Sequence, residues 1–199
     1  MESQEKIWND IAPEWHEFKQ IGGERTGKFL SKCRGEVLDL GAGSGRHLVE
    51  IKKGKMWLVD FSEEMLKLAK EKADKFGIKA EFVKADLTEL PFEDNFFDFA
   101  ICISALHCVK GEENRLKAVE EFYRVMKKSG VARIGVWNFQ SKRFNQKQGK
   151  EKLIKWTNKG ERYYYLFDEQ EIHDLFKKVG FKIIESDNSE MMINFIVKK

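Results

Sequence analysis

The sequence predicts an α/β fold of the doubly wound kind, built on a mostly parallel sheet, and three observations carry that expectation. Strand-like and helix-like patterns alternate along the chain. A short apolar run, Val37-Leu38-Asp39-Leu40, leads straight into the glycine-rich stretch Gly41-Ala42-Gly43-Ser44-Gly45. Asp39, Asp60 and Asp86 stand at the carboxyl ends of three predicted strands, the edge at which open α/β sheets bind ligands.

Taken in order, the first 35 residues read as an N-terminal helical cap. Trp8, Ile11, Ala12, Trp15 and Phe18 fall near one face, and Gly22-Gly23 divides the segment. Glu36 to Leu40 is a buried strand, and Lys55 to Asp60 is a second. Ser62 is an N-cap candidate for a helix with Met65, Ala69, Ala73 and Phe76 on one stripe. Ala80 to Lys84 and Asp98 to Ile103 are the third and fourth strands. Leu116, Val119, Tyr123 and Met126 mark a helix ending near Ser129-Gly130, and Val131 to Trp137 is a fifth strand. Asp168 and Glu171 resemble a capping box before Ile172, Leu175, Phe176 and Val179. Phe181 to Glu185 and Met191 to Val197 are two strands with a link too short for a parallel crossover, so they should be antiparallel neighbours.

A chain of 199 residues suits a single domain with a full core, here 1–199. With 42% hydrophobic and 35% charged residues, the composition is that of an ordinary globular protein. The start, Met1 to Lys6, is acidic where a secretory signal would be basic. The longest apolar stretch, Phe96 to Val109, is too short to span a bilayer. Cys33, Cys102 and Cys108 form no C-x-x-C pair, and the four histidines offer no metal-ligand spacing. The expectation is a cytoplasmic protein with reduced thiols, no metal and no membrane partner.

The glycine stretch should form a tight turn opening a helix, with main-chain N–H groups open to a ligand. A dinucleotide fold would have G-x-G-x-x-G, but Arg46 holds the place of the last glycine. Asp39 just before the turn suits a cationic ligand such as S-adenosylmethionine, with its ammonium and sulfonium, and would repel a pyrophosphate. Asp60 lies where an acidic residue would grip ribose hydroxyls. Gly22 to Lys28 nearly matches a phosphate-binding loop, but Phe29 replaces the required hydroxyl and no apolar strand precedes it.

The glycine turn, Val59-Asp60-Phe61-Ser62, Ala85-Asp86-Leu87 and the strand from Asp98 to Leu106 together resemble the ordered motifs of class I S-adenosylmethionine-dependent methyltransferases, over roughly residues 36–137. The resemblance implies a seven-stranded sheet with a reversed last strand, in agreement with the closing hairpin. It implies that Gly41, Ala42, Gly43 and Gly45 face the methionine moiety with Asp39 behind them. Asp60 and Phe61 would meet the ribose, Asp86 and Leu87 the adenine, and backbone near Ile103 the amino group. The Asn/Asp-Pro-Pro-aromatic motif of amino-group DNA methyltransferases is absent, since Pro13 and Pro91 are the only prolines.

Residues 139–162 carry eight basic residues against Glu151 and Glu161, with aromatic residues interleaved. That mixture suggests phosphate neutralisation with base stacking, or else a solvated insertion or lid. Val136-Trp137, Trp156 and Arg162-Tyr163-Tyr164-Tyr165 through Glu171 resemble the tRNA wobble-uridine carboxymethyl methyltransferases. So do the strand ending in His107 and an arginine, Arg25, near Trp8 and Ala12. The match departs at Tyr165 and Cys108, where that family has histidines. The resemblance implies tRNA as acceptor and a small zinc-binding activator protein as partner. Arg25, His107, Arg162 and Tyr163 become candidates for positioning the acceptor. A carboxylate acceptor is already nucleophilic at neutral pH, consistent with the lack of an obvious base. A small-molecule methyltransferase with a lid, and a non-catalytic cofactor-binding subunit, stay open as alternatives.

Overall fold

A computed structural model describes residues 3–18, 21–144, 147 and 149–199. Helices α1 (Gln4–Phe18) and α2 (Glu24–Leu30) precede β1 (Gly35–Leu40) and β2 (Gly54–Asp60). There follow α3 (Glu63–Phe76), β3 (Ala80–Lys84), β4 (Phe97–Ile103), a 3-10 turn at Leu106–Cys108, α4 (Glu112–Val125) and β5 (Met126–Trp137). A hairpin of β6 (Glu151–Lys155) and β7 (Glu161–Tyr165), then α5 (Glu169–Val179), β8 (Lys182–Ser186) and β9 (Met192–Lys198), complete the fold.

Seven strands form one sheet in the order β3-β2-β1-β4-β5-β9-β8. The first five are parallel, Leu38 lying between Trp57 of β2 and Ala100 of β4. The last strand, β9, runs antiparallel to both β5 and β8, as the short link between them required. Side chains alternate across this sheet. Leu38, Leu40, Ala100 and Ile134 pack with α4 and α5, while Val37, Met56, Leu58 and Ile101 pack with α2 and α3.

Local signals explain the helix ends. The Ser62 side chain accepts the Met65 N–H at 3.2 Å, and Gly77 ends α3 in the left-handed region. Glu171 closes a capping box with Asp168 at the start of α5. Along α3, Met65, Ala69 and Ala73 are buried as the stripe required, but Phe76 at the last turn is 62% exposed.

Three features depart from expectation. The glycine turn opens no helix: residues 41–53 cross from β1 to β2 as turns and irregular chain, with Leu48 and Ile51 filling the space of a missing helix. Helix α4 stops at Val125, and β5 begins at Met126 instead of Val131. There Met126 pairs with Phe97 across a register shift, while Lys127 turns its ammonium to Asp98 at 2.8 Å. Finally, the basic segment contains β6 and the start of β7. No helix among the described residues is long and apolar enough to cross a membrane.

Candidate active site

The carboxyl ends of β1, β2, β3 and β4 open onto a cavity of about 380 Å³. Its floor is Gly41 to Ser44, Asp60, Phe61, Asp86 to Thr88 and Ile103 to Ala105. Its far wall holds His107, Cys108, Trp137 and Tyr164, and Gln4, Trp8 and Trp15 of α1 lie over it.

The floor is tied together through Asp60. Its carboxylate accepts the Gly43 N–H at 2.8 Å and the Ser62 N–H at 2.9 Å, joining the end of β2 to the glycine turn. Gly41 and Gly43 have φ of 76° and 54°, a conformation that side chains disfavour. A Cβ on Gly41 would lie 2.1 Å from the Ala105 Cβ. On Gly43 the nearest atom, Trp15 Nε1, is 4.0 Å away, so that Cβ would stand in the cavity.

Charge in this floor is unusual. Asp39 is buried beneath the turn, and its Oδ2 has no hydrogen-bond partner among the described residues. Burial pushes its carboxyl up to about 7, opposed by the Arg46 guanidinium and reinforced by Asp60. Burial also pushes Asp60 up to about 6, against the stabilising N–H groups of Ser62 and Gly43. Two buried carboxylates with too little compensating charge make a site that a cation completes. A ligand bearing an ammonium and a sulfonium fits that donor set, and the open Gly43 edge leaves room for it.

Of the other predicted residues, Ala42, Leu87, Ile103 and His107 line the cavity. Asp86 lines it too, its Oδ1 accepting from Thr88 N and Oγ1 at 2.8 and 2.7 Å. Gly45 instead packs on α3, where a Cβ would lie 3.1 Å from that of Ala69. Arg25 is away from the cavity, its Nη1 donating to Asp187 Oδ2 at 2.9 Å.

Period-two alternation in β7 separates the remaining pair. Tyr163 faces away from the cavity and donates its hydroxyl proton to Glu151 at 2.9 Å. Arg162 lies behind the cavity wall, its Cζ between 4.8 and 5.7 Å from the ring centres of Trp8, Trp15, Trp156 and Tyr164. It donates from Nη1 to the Tyr164 hydroxyl at 2.5 Å, and its Nε has no partner among the described residues. No carboxylate neutralises it in the described ion pairs.

Sequence reasoning missed Trp8, Trp15, Arg46, Trp137 and Tyr164 as cavity residues. The two α1 tryptophans were legible only as an apolar stripe, and Arg46 only as a departure from a dinucleotide pattern. Tyr164 stacks on Trp137 at 4.3 Å with 21° between planes, and Phe144 continues the stack at 5.1 Å.

Helix α1 and the hairpin are clasped over the cavity. Glu14 accepts from Trp156 Nε1 at 2.6 Å and pairs with Lys159 at 2.7 Å. The Gln4 side chain bonds to the Glu161 carbonyl and the Tyr163 N–H. On the opposite side, Asn9 of α1 accepts from the Ser62 hydroxyl at 2.7 Å. Lys150 pairs with Asp168 and Glu171 of α5, so part of the basic charge in 139–162 is neutralised within the fold.

Comparison with known proteins agrees with this arrangement. Residues 37–130 match a family model described as a methyltransferase domain. An uncharacterized protein of Methanocaldococcus jannaschii is 33% identical over 82% of this chain and 71% of its own. The tRNA (carboxymethyluridine(34)-5-O)-methyltransferase of Arabidopsis thaliana is 28% identical over 79% of this chain, which spans only 37% of that protein. Among solved structures, a SAM-dependent methyltransferase of Methanosarcina mazei superposes with a TM-score of 0.74, at 22% identity over 90% of this chain and 98% of that one. A chain from the complex between the Haloferax volcanii Trm112 methyltransferase activator and a methyltransferase gives 0.73, at 17% identity over 98% and 97%. At these identities the structural likeness is one of fold. Residues 37–130 carry a methyltransferase domain, the sheet has the fold of class I S-adenosylmethionine-dependent methyltransferases, and the chain belongs to one family with the Methanocaldococcus protein.

Proposed function

We propose that this methyltransferase esterifies a carboxymethyl group on a tRNA wobble uridine. The observation that carries the reading is Arg162, a buried guanidinium with no carboxylate partner among the described residues, set behind the Trp137–Tyr164 stack at the end of the cavity. A buried cation without a counter-ion favours an anionic ligand close by, and stacked rings suit a planar base. Lys142 and Arg143 are exposed beside this stack, the Arg143 Cζ 5.6 Å from the Trp137 ring. They are suited to phosphate contacts. The similarity to the Arabidopsis tRNA enzyme supports the same reading.

In this reading Asp60 holds the ribose hydroxyls of the cofactor, and Gly41 to Gly43 admit its methionine moiety. Asp39 beneath the turn answers its positive charge, and Arg46 its carboxylate. Phe61, Asp86 and Leu87 flank the adenine, and backbone at Ile103 meets the amino group. Bound S-adenosylmethionine supplies a methyl group made electrophilic by its sulfonium. The chain itself has to align an acceptor that is already ionised. A small zinc-binding activator is the proposed partner, supported by the fold shared with the Haloferax activator complex.

Mass spectrometry of tRNA nucleosides after incubation with labelled cofactor tests the proposal, with and without such an activator. Labelled methyl ester on carboxymethyluridine is the expected result, and its absence from both arms would overturn it. The clasp of α1 and hairpin favours a second reading, a small-molecule methyltransferase with the hairpin as lid. Labelling of a metabolite extract with unlabelled tRNA would select it.

A further inference from the structure

His107 sits in the 3-10 turn after β4, 1% exposed, with its side chain on the cavity wall. Its Nδ1 accepts the backbone N–H of Trp137 at 3.0 Å. A backbone N–H donates and cannot accept, so Nδ1 carries the lone pair and the ring proton is on Nε2. Nε2 is buried and has no partner among the described residues. Burial and the Arg46 charge push the imidazole down to about 3, so it stays neutral at physiological pH.

Tyr164 repeats the pattern from β7. Its ring lines the same cavity, 5.5 Å from the His107 ring centre. Its hydroxyl oxygen accepts from Arg162, which has no acceptor atom to offer in return. The phenolic proton therefore needs an acceptor elsewhere, and no described residue supplies one. Burial keeps this phenol protonated.

We propose that His107 Nε2–H and Tyr164 O–H form a fixed pair of donors that holds an oxygen of the methyl acceptor. The proposal rests on the carboxylate reading above and deepens it. Neither group can take up a proton in this arrangement, so the pair selects acceptors that arrive ionised. A carboxylate satisfies both donors through the oxygen that is not methylated. An acceptor whose own N–H or O–H must be removed finds no base in the pair.

The test is the side-chain nitrogen spectrum of ¹⁵N-labelled protein at pH 7.5, with the His107 signals assigned by their loss in His107→Gln. The expected result is an Nε2-protonated ring whose proton moves downfield when S-adenosylhomocysteine and 5-carboxymethyluridine are added. Tyr164→Phe keeps the ring and removes the hydroxyl, both the donated proton and the oxygen that accepts from Arg162. It should lower kcat/KM for the acceptor about ten- to hundredfold, with affinity for S-adenosylhomocysteine unchanged. A proton on Nδ1 would overturn the donor pair, whatever tRNA labelling shows. So would an unmoved Nε2–H with a tRNA that is nonetheless esterified. A downfield shift with acetate and S-adenosylhomocysteine, alongside unlabelled tRNA, would uphold the donors and overturn the tRNA assignment.

Discussion

The Asp60 carboxylate accepts the Gly43 N–H at 2.8 Å, and through that bond the end of β2 sets the shape of the turn after β1. Removing it strips an acceptor from two backbone donors and a partner from the cofactor. Asp60→Ala should weaken S-adenosylhomocysteine binding by roughly 10²–10³-fold, the loss of about 3–4 kcal/mol of charged hydrogen bonding. Calorimetry measures this directly, and an unchanged dissociation constant would take Asp60 out of the site.

Asp39 and Asp60 have folded values of about 7 and about 6 against an ordinary 3.8. The folded chain therefore binds protons more tightly than the unfolded one. The stability these groups contribute is present below about pH 4 and is lost as pH rises through about 7. Asp39→Asn, a neutral mimic, should stabilise the ligand-free protein by about 2–4 kcal/mol at pH 8 and flatten the pH dependence of Tm. The same variant should bind S-adenosylmethionine more weakly. A Tm at pH 8 below that of the parent would contradict the assignment of an unpaired buried carboxylate.

Two glycines in one turn should respond differently to alanine. Gly41→Ala drives a Cβ to 2.1 Å from that of Ala105, and overpacking with left-handed strain should cost about 2–4 kcal/mol. Gly43→Ala meets no atom closer than 4.0 Å, so its loss should be near 1 kcal/mol, from backbone strain alone. Its Cβ, however, stands in the cavity. Urea unfolding and cofactor titration together separate the two: Gly43→Ala should lose more binding than stability.

Glu14 links α1 to the hairpin through both Trp156 and Lys159. Glu14→Gln keeps the size and removes the charge. Amide exchange should then quicken in 151–165 while the central strands β1 and β4 stay protected. Equal acceleration in β4 would mean that the clasp supports the whole fold.

The sequence was most legible where one force decides the local structure. Continuous apolar runs mark β1 and β4 because both faces of a central parallel strand are buried. Ser62, Asp168 and Glu171 mark helix starts because orphan N–H groups need acceptors. The crossover after Gly45 misled because Leu48 and Ile51 keep a helical spacing while packing as irregular chain against α3. β6 was hidden because Lys152 and Lys155 interrupt its alternation, and the residues that anchor its partner β7 and the hairpin turn, Gln4 and Glu14, lie far away in sequence. Without β7 as a strand, Tyr163 and Tyr164 could not be told apart. The cavity floor was readable from its carboxylates and glycines. Its aromatic roof was not, since a helix stripe has one spacing whether it covers a core or a ligand.

The helix-free crossover between β1 and β2 bears on discrimination among adenosine compounds. ATP and NAD share most of their shape with S-adenosylmethionine but carry phosphates. In a dinucleotide-binding sheet, aligned peptide dipoles at this place welcome that negative charge. Here residues 41–53 supply no such dipole; the Asp60 carboxylate lines the cavity and that of Asp39 is buried beneath the turn. The expected outcome is that ATP and NAD bind more weakly than S-adenosylmethionine, by a margin that widens as pH rises through about 7 and the two carboxylates ionise.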